Sequence, residues 1–514
     1  MRLRVLFLLI GLLALALPVS AQSDELTITP VGTYATGAFD EGASEIVAYH
    51  AGTQTLFVVN GMDDAIDLID ISVPATPTLK AQASVGEFEF NPNSVAIYGD
   101  IVAVAANADE TDGAGAVLFF DAQGAYLNMV EVGVLPDMAI FTPDGTKVLT
   151  ANEGEPSDDY TVDPEGSVSI IDISGGVENA TVTNVTFGDV EVPEGVRVYG
   201  PGSSAAQDFE PEYIAISADG ATAYVVLQEN NAIVTIDIAS ATITAITALG
   251  VKDFSVEGNG IDASGDDGAI NITTYPVFGM YLPDSIVAFE ANGETYLITA
   301  NEGDSRDYDG YSEEADLGEL TLDATAFPTA AELQLEENAG GLEVTTTWGD
   351  TDADGDYDAL YAFGSRSFSI WNTSIEQVYD SGDQLEQITA ATYPDDFNST
   401  HDENGSFENR SDNAGPEPEG LALAVINDQI YAFVGLERIG GVVVFNISDP
   451  MAPVFVTYVN NRDFSGDAAA GTAGDLGVEG LIVIAAEDSP TGAALLVTAN
   501  EVSGTTTIFE IGMN

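Results

Sequence analysis

Residues 350–358 combine carboxylates and a glycine in a spacing that suits a divalent cation. Acidic side chains alternate along DTDADGDYD, and Gly355 stands at the sixth position, where a tight turn directs several oxygen atoms toward one ion. The expected calcium ligands are the side chains of Asp350, Asp352, Asp354 and Asp358 and the main-chain carbonyl of Asp356. Because Tyr361 replaces glutamate at the twelfth position, the spacing predicts a strand-flanked loop and not an EF-hand. The alternative interpretation is a solvated turn.

A second set of acidic residues stands at the ends of short apolar segments. The tetrapeptide TANE recurs at residues 150–153, 299–302 and 498–501, each time after an apolar pair. If these segments superpose, their carboxylates meet around one mouth of a central channel, where they need cations or shared protons. The candidate channel carboxylates are Glu153, Glu155, Glu212, Glu302, Asp304, Glu417, Glu419, Glu479 and Glu501. The alternative is that these side chains only satisfy backbone groups in turns.

Basic side chains are scarce, with 11 Lys and Arg against 85 Asp and Glu. Arg306, Arg366 and Arg410 are therefore candidates for binding an anionic group such as phosphate, or else they pair with carboxylates. The two histidines, His50 and His401, disfavour a Ser-His-Asp centre or a His-rich metal site. The absence of cysteine excludes a thiolate nucleophile, a disulfide and a Cys-ligated zinc.

The formal charge of −74 argues against nucleic acids and anionic membrane surfaces as partners, whereas divalent cations are favoured. Such acidity suits a saline or calcium-rich setting, or it only keeps an exported protein soluble. A basic start, a short apolar run and a small-residue cleavage site predict a signal peptide over residues 1–21. The expected mature chain, residues 22–514, is secreted, periplasmic or extracellular, with no membrane insertion after cleavage and no C-terminal anchor.

The elements that must position these residues are short strands that recur along the chain. Repeated units, with third strands such as IDLIDIS and VSIIDIS, predict an all-β protein with a single β-propeller over residues 22–514. Seven blades are favoured and eight are possible, because the pair at residues 359–363 and 368–371 either completes the unit begun at Ile286 or forms another blade. Two long insertions, residues 303–347 and 394–416, lack strand alternation and are expected to fold over one face of the disc. A β-sandwich or a solenoid is the competing fold.

Three motifs resemble those of a known family: residues 301–308 (NEGDSRDY), residues 350–371 (DTDADGDYDALYAFGSRSFSIW) and residues 410–420 (RSDNAGPEPEG). In this order they resemble the choice-of-anchor I family, secreted bacterial propellers with LVIVD-like repeats that are similar to mesenchyme-specific cell-surface glycoproteins. The resemblance covers nearly the whole mature chain and implies a seven-bladed propeller. Ala414 and Asp316 stand where basic residues are expected in relatives, which weakens an implied anion-binding role.

Two functions follow from these expectations. The first is a secreted calcium-binding propeller that acts as a binding or scaffold module for an unknown protein, glycan or phosphoester ligand at a cell surface or in an extracellular matrix. The second is a calcium-dependent phosphoesterase similar to propellers of the phytase type, in which the channel carboxylates hold calcium and a metal-bound water attacks phosphate. Two close metal ions in one carboxylate ring favour the enzyme, and a single ion in the Asp350 loop favours the module.

Overall fold

A computed structural model describes residues 26–188 and 190–513, so the predicted signal peptide lies outside the described residues. Seven antiparallel sheets of four strands each contain most of the regular structure. We number them in chain order. Sheet 1 consists of Val47–His50, Thr55–Asn60, Ala65–Asp70 and Thr78–Ser84, and sheet 2 of Asn91–Tyr98, Ile101–Asn107, Ala114–Asp121 and Tyr126–Val134. Sheet 3 consists of Pro136–Phe141, Lys147–Asn152, Ser167–Asp172 and Thr181–Thr186, and sheet 4 of Pro211–Ile216, Thr222–Leu227, Ala232–Asp237 and Thr242–Ala248.

Sheets 5 to 7 continue the same up-and-down order. Sheet 5 consists of Ile286–Ala291, Glu294–Asn301, Ser367–Asn372 and Gln377–Asp380, and sheet 6 of Pro418–Ile426, Gln429–Leu436, Val442–Asn446 and Val454–Val459. Sheet 7 consists of Val478–Ile484, Ala494–Asn500, Thr505–Met513 and Leu26–Ala35. The N-terminal strand Leu26–Ala35 is thus the outer strand of the last sheet, where it pairs with Thr505–Met513. This pairing ties the two ends of the described chain together.

The seven sheets are arranged in a closed ring. The first strand of each sheet packs against the first strand of the next, and that of sheet 7 packs against that of sheet 1. Each of the seven interfaces between neighbouring sheets contains its own cluster of buried apolar side chains. Because both faces of the inner strands are covered, a strand such as Thr55–Asn60 is buried along its whole length. The prediction of a β-propeller is confirmed.

The strand pair that the sequence left open is divided between two sheets. Ser367–Asn372 pairs with Glu294–Asn301 and completes the sheet begun at Ile286. Tyr361–Ala362 instead joins a further five-stranded sheet, which we call the insertion sheet. In spatial order the insertion sheet consists of Val251–Asp253, Phe278–Met280, Tyr361–Ala362, Glu343–Thr345 and Glu314–Asp316.

The first long insertion differs from the prediction, because residues 303–347 contain strands. Besides their part of the insertion sheet they form a small hairpin, Asp307–Tyr308 with Tyr311–Ser312. These strands are only two or three residues long, so alternation could not reveal them in the sequence. The helical segments of the described chain are α-helices Ala205–Asp208, Ala330–Leu333 and Gln384–Thr392 and 3-10 turns Gly61–Asp63, Gly86–Phe88, Val177–Asn179 and Leu317–Glu319. Over the described residues, no helix combines the length and the apolar character needed to cross a bilayer.

Both long insertions leave the ring at the same face of the disc. Residues 302–366 connect the second and third strands of sheet 5, and residues 394–416 lie between sheets 5 and 6, before the first strand of sheet 6. In an antiparallel sheet the end of the second strand lies beside the start of the first, so both connections emerge on one side. The expectation that the insertions share one face agrees with this topology.

Candidate functional site

The first strands of the seven sheets begin with a polar residue at one equivalent position. In sheet 3, Ala139 pairs with Thr150 and Asp137 lies two residues earlier; in sheet 7, Leu481 pairs with Thr498 and Glu479 lies two residues earlier. The same alignment places a carboxylate in six sheets and an asparagine in sheet 2. We call these residues the mouth ring: Glu45, Asn93, Asp137, Glu212, Asp284, Glu419 and Glu479.

A break in strand pairing exposes the mouth-ring side chains. In sheets 2, 3, 4, 6 and 7 the register shifts at this position, for example between Pro136 and Met138. A bulge of this kind re-aims a side chain away from the regular pleat. All six mouth-ring carboxylates are partly exposed, although the residue before each of them in sequence is buried. The ring is therefore a lining that solvent and small ions can reach.

A second tier of carboxylates follows the second strands. Glu153, Glu302, Glu437 and Glu501 each come directly after the last residue of that strand. Their main chains return to the start of the first strand: the amide of Glu153 donates to the carbonyl of Leu135 at 2.9 Å, and the amide of Glu501 donates to that of Gly477 at 2.8 Å. The TANE repeats therefore deliver glutamates to the same mouth as the ring.

The structure brings the nine sequence-predicted channel carboxylates to this mouth. Glu153, Glu302 and Glu501 lie in the second tier, and Glu212, Glu419 and Glu479 lie in the ring. The other three lie beside these residues. The charge of Glu155 raises the pKa of Asp137, and the charge of Asp304 raises the pKa of Glu302. Oxygens of Glu417 and Glu302 lie within 4.8 Å of each other. Their role as cation ligands stays a prediction.

Four of the carboxylates at the mouth have a pKa near neutrality. Burial is the largest cause in each case, and the charge of a neighbouring carboxylate adds to it. Burial and Glu155 raise the pKa of Asp137 to about 7, and burial and Glu229 raise that of Asp304 to about 7. Burial and the charge of Glu501 raise the pKa of Glu45 to about 8. Burial and the charge of Asp137 raise the pKa of Asp284 to about 8. Without a cation, the mouth therefore holds protons at neutral pH.

Basic side chains contact two of the mouth carboxylates directly, Glu417 and Glu437 beside sheet 6. Glu417 accepts from Nε of Arg410 at 2.9 Å and from Nε of Arg438 at 2.5 Å. Glu437 is 2.9 Å from Nη1 of Arg438 and 2.8 Å from Nδ1 of His401. These two glutamates and Glu302 form a group of oxygens within 4.8 Å of one another that already has positive neighbours.

The three arginines that the sequence offered for anion binding lie in ion pairs. Arg306 is buried and contacts Asp208 at 2.5 Å and Glu210 at 2.9 Å. Arg366 is also buried and contacts Glu386 at 2.7 Å. Arg410 is bound to Glu417. This geometry favours the alternative in which the arginines neutralise carboxylates.

The Asp350 loop brings part of the predicted calcium cage together. Asp350, Asp352 and Asp358 each offer an oxygen within 4.8 Å of the others, and Gly355 has the positive φ of 96° that the tight turn requires. The carboxylate of Asp350 accepts the amides of Asp354 and Gly355 at 3.2 and 3.1 Å, which holds the turn closed.

The other two predicted loop residues are placed differently. Asp354 accepts the amide of Asp356 at 3.1 Å. The side chain of Asp356, which the sequence assigned only through its carbonyl, forms a second group with Asp358 and Asp323. Asp323 belongs to a distant segment, so the spacing of the loop could not indicate it.

Sequence reasoning also missed the mouth-ring residues Glu45, Asp137 and Asp284 and the second-tier residue Glu437. A signal was present, because proline followed by an acidic residue precedes the apolar start of several first strands. Pro136-Asp137, Pro211-Glu212, Pro283-Asp284 and Pro418-Glu419 share this pattern. The TANE repeat, which is longer, drew attention to the second strands instead.

Comparison with known proteins identifies relatives over parts of the chain. Gigasin-3a from Magallana gigas is 32% identical over 194 residues, which cover 35% of this chain and 66% of gigasin-3a. The mesenchyme-specific cell surface glycoprotein from Strongylocentrotus purpuratus is 27% identical over 237 residues, which cover 40% of this chain and 30% of that protein. A third or more of each relative thus lies outside the matched segment.

Among solved structures, the β-propeller domain of Cps50 (Swd1) from Myceliophteria thermophila superposes with a TM-score of 0.46 at 10% identity. The superposition includes 95% of this chain and 100% of that domain. The choice-of-anchor I domain, as a family model, matches residues 45–450, from the first mouth-ring carboxylate to just past the third strand of sheet 6. Since this match covers most of the chain, the protein belongs to the choice-of-anchor I domain family.

Proposed function

We propose that this protein is an extracellular calcium-binding propeller that acts as a binding or scaffold module. The observation that carries the calcium assignment is the Asp350 loop, where the oxygens of Asp350, Asp352 and Asp358 lie within 4.8 Å of one another. Two oxygens that both bind calcium at about 2.4 Å are at most about 4.8 Å apart, so this spacing suits one ion. All three ligands are carboxylates, the donor type that hard cations prefer.

The location and the module role rest on other support. One relative is called a cell surface glycoprotein, and membership of the choice-of-anchor I family agrees with an extracellular place of action. The surface that we assign to the partner is the acidic mouth, because both long insertions emerge there and supply variable loops around it. A cationic or calcium-bridged ligand is the partner that this charge favours.

The calcium assignment predicts that Asp352→Asn removes one bound calcium ion per chain or weakens that site at least tenfold. Asp352 suits this test because the hydrogen bond that its carboxylate receives from the backbone of Asp354 can also be accepted by the oxygen of the isosteric amide, so the turn stays intact. Calcium titration calorimetry of the purified chain, after treatment with a chelator, measures the number of sites and their affinity.

Asp112→Asn is the matched control. Asp112 is exposed in the loop between the second and third strands of sheet 2, and the substitution removes the same charge outside any carboxylate group. We expect this control to bind calcium as the unmodified protein does. Equal binding by Asp352→Asn and the unmodified protein would contradict the loop assignment.

The second candidate function is a calcium-dependent phosphoesterase. The observation in its favour is that one mouth contains two groups of three carboxylates, Asp137, Glu153 and Glu212 on one side and Glu302, Glu417 and Glu437 on the other. Cations held there would supply an activated water. The test is the hydrolysis of a generic phosphate ester by the purified chain, with calcium and with chelator. Hydrolysis that requires calcium and stops with chelator favours the enzyme. If no chelator-sensitive hydrolysis is seen, the enzyme candidate is excluded.

A further inference from the structure

Three carboxylates at the junction of sheets 3 and 4 form a group that no basic residue of the described chain contacts. Asp137 and Glu212 occupy equivalent mouth-ring positions in neighbouring first strands, and Glu153 follows the second strand of sheet 3. Each offers one oxygen, and the three oxygens lie within 4.8 Å of one another. We call these residues the mouth triad.

The mouth triad lacks the basic partners that several fully buried acidic residues have. Glu153 is only 7% exposed, and over the described residues neither it nor Asp137 nor Glu212 has a hydrogen-bond donor or an ion-pair partner. By contrast, the fully buried Glu313 and Glu386 are paired with Arg197 and Arg366. A buried carboxylate without a partner is costly and therefore needs a compensating group.

A fourth buried carboxylate, that of Glu229, lies beside the mouth triad, and the charge of Arg306 offsets part of the rise that burial causes in its pKa. Glu229 is 7% exposed, and its Oε2 has no hydrogen-bond partner. Its negative charge raises the pKa of both Glu153 and Glu212, which places it next to them. Carboxylates this close repel one another strongly in a site that is partly shielded from water. Protons or a divalent cation are the two species that relieve such repulsion.

We propose that the mouth triad is a divalent-cation site that prefers calcium and is separate from the Asp350 loop. The ligand set contains oxygen alone, which favours calcium or magnesium over zinc. Oxygens that lie within 4.8 Å of one another can share one calcium ion at about 2.4 Å, and calcium tolerates an irregular set of carboxylates, whereas magnesium demands near-ideal octahedral geometry. Asp137 and Glu212 are partly exposed, so an ion can enter from the mouth and keep some of its water.

The test measures calcium binding in an Asp352→Asn background, so that failure of the loop assignment does not affect the result. In this background, Glu212→Gln is expected to weaken the remaining calcium site at least tenfold, as seen by titration calorimetry with calcium chloride. Asp137→Asn is a second isosteric variant with the same expected loss. Magnesium chloride serves as the comparison ion and is expected to bind at least tenfold more weakly than calcium.

Thermal unfolding gives a readout that a purely structural role would not produce. With chelator and at alkaline pH, where the mouth has released its protons, Glu212→Gln is expected to unfold at a higher temperature than its parent, because one repelling charge is gone. With calcium, it is expected to gain less stability than its parent does. A higher unfolding temperature in chelator together with a smaller gain from calcium identifies a residue that binds an ion. Lower stability in chelator, or a gain from calcium equal to that of the parent, would overturn the proposal.

Glu45→Gln is the matched control, since it removes the same charge from the same ring but outside the mouth triad. We expect it to leave the affinity of the triad site within about twofold of its parent. Equal losses for Glu45→Gln and Glu212→Gln would indicate diffuse screening by the whole ring and would overturn the assignment to the triad. Equal affinities for calcium and magnesium would overturn the preference for calcium.

Discussion

Arg306→Met is expected to lower the free energy of unfolding by about 3–5 kcal/mol, the range for losing one partner of a buried ion pair. The guanidinium contacts the carboxylate of Asp208 at 2.5 Å and Glu210 at 2.9 Å, and it donates to the carbonyl of Asp208 at 2.8 Å. It also lies 4.7 Å from the ring centre of Tyr199. Methionine fills the space of the side chain but leaves two buried carboxylates without their cation.

Unfolding in urea, followed by tryptophan fluorescence, measures this loss. The exposed Lys80→Ala is the control and should change stability by less than about 0.5 kcal/mol. Adding Glu210→Gln to Arg306→Met should restore part of the loss, because one of the two uncompensated charges is then removed. If Arg306→Met is as stable as the unmodified protein, the carboxylates have another source of compensation and our account of the pair is wrong.

Without calcium, the protein is expected to lose stability as the pH rises from about 4.5 to about 8. Carboxyl groups whose folded-state pKa is raised stabilise the fold fully below their unfolded pKa, near 4, and lose this contribution as they ionise. Burial raises the pKa of Asp137 to about 7 and that of Glu45 and Asp284 to about 8. One pKa unit corresponds to about 1.4 kcal/mol, so the combined loss is on the order of several kcal/mol.

Urea unfolding between pH 4.5 and 8, with chelator and with calcium, checks this prediction. Calcium should flatten the decline, because it neutralises the ionised mouth more strongly as protons leave. Glu408→Gln separates one contribution, because this residue is buried without a basic partner among the described residues and burial raises its pKa to about 7. The variant should show a shallower decline with chelator and an unchanged gain from calcium. Stability that rises between pH 5 and 8 in chelator would contradict the assigned charge states.

The repetitive pattern of the chain determined the fold class. Short apolar strands at regular spacing cannot bury both faces alone, so stacking in a ring follows from local sequence. The same pattern indicated the nine channel carboxylates, because equivalent positions in a closed ring converge. It could not place Tyr361–Ala362 and Ser367–Asn372, which are close in sequence but lie in different sheets. Their separation depends on distant strands such as Glu343–Thr345 and Glu294–Asn301.

Family membership also followed from local motifs, because long segments such as RSDNAGPEPEG keep their order and spacing within one chain. The Asp350 loop was recognised for the same reason, since its candidate ligands are at most eight residues apart. Asp323 was missed because it reaches this loop from a segment with no fixed spacing to it.

The sequence by itself determined the repeated strands, the acidic character and the positions of most carboxylates, since each of these depends on neighbouring residues. Only the tertiary structure decided which carboxylates have a positive partner. Glu417 contacts Arg438 across 21 residues, whereas Asp137, Glu153 and Glu212 meet no basic side chain among the described residues. The reason is physical: the state of a charge depends on burial and on neighbours brought by the closing of the ring, and neither is encoded at the residue itself.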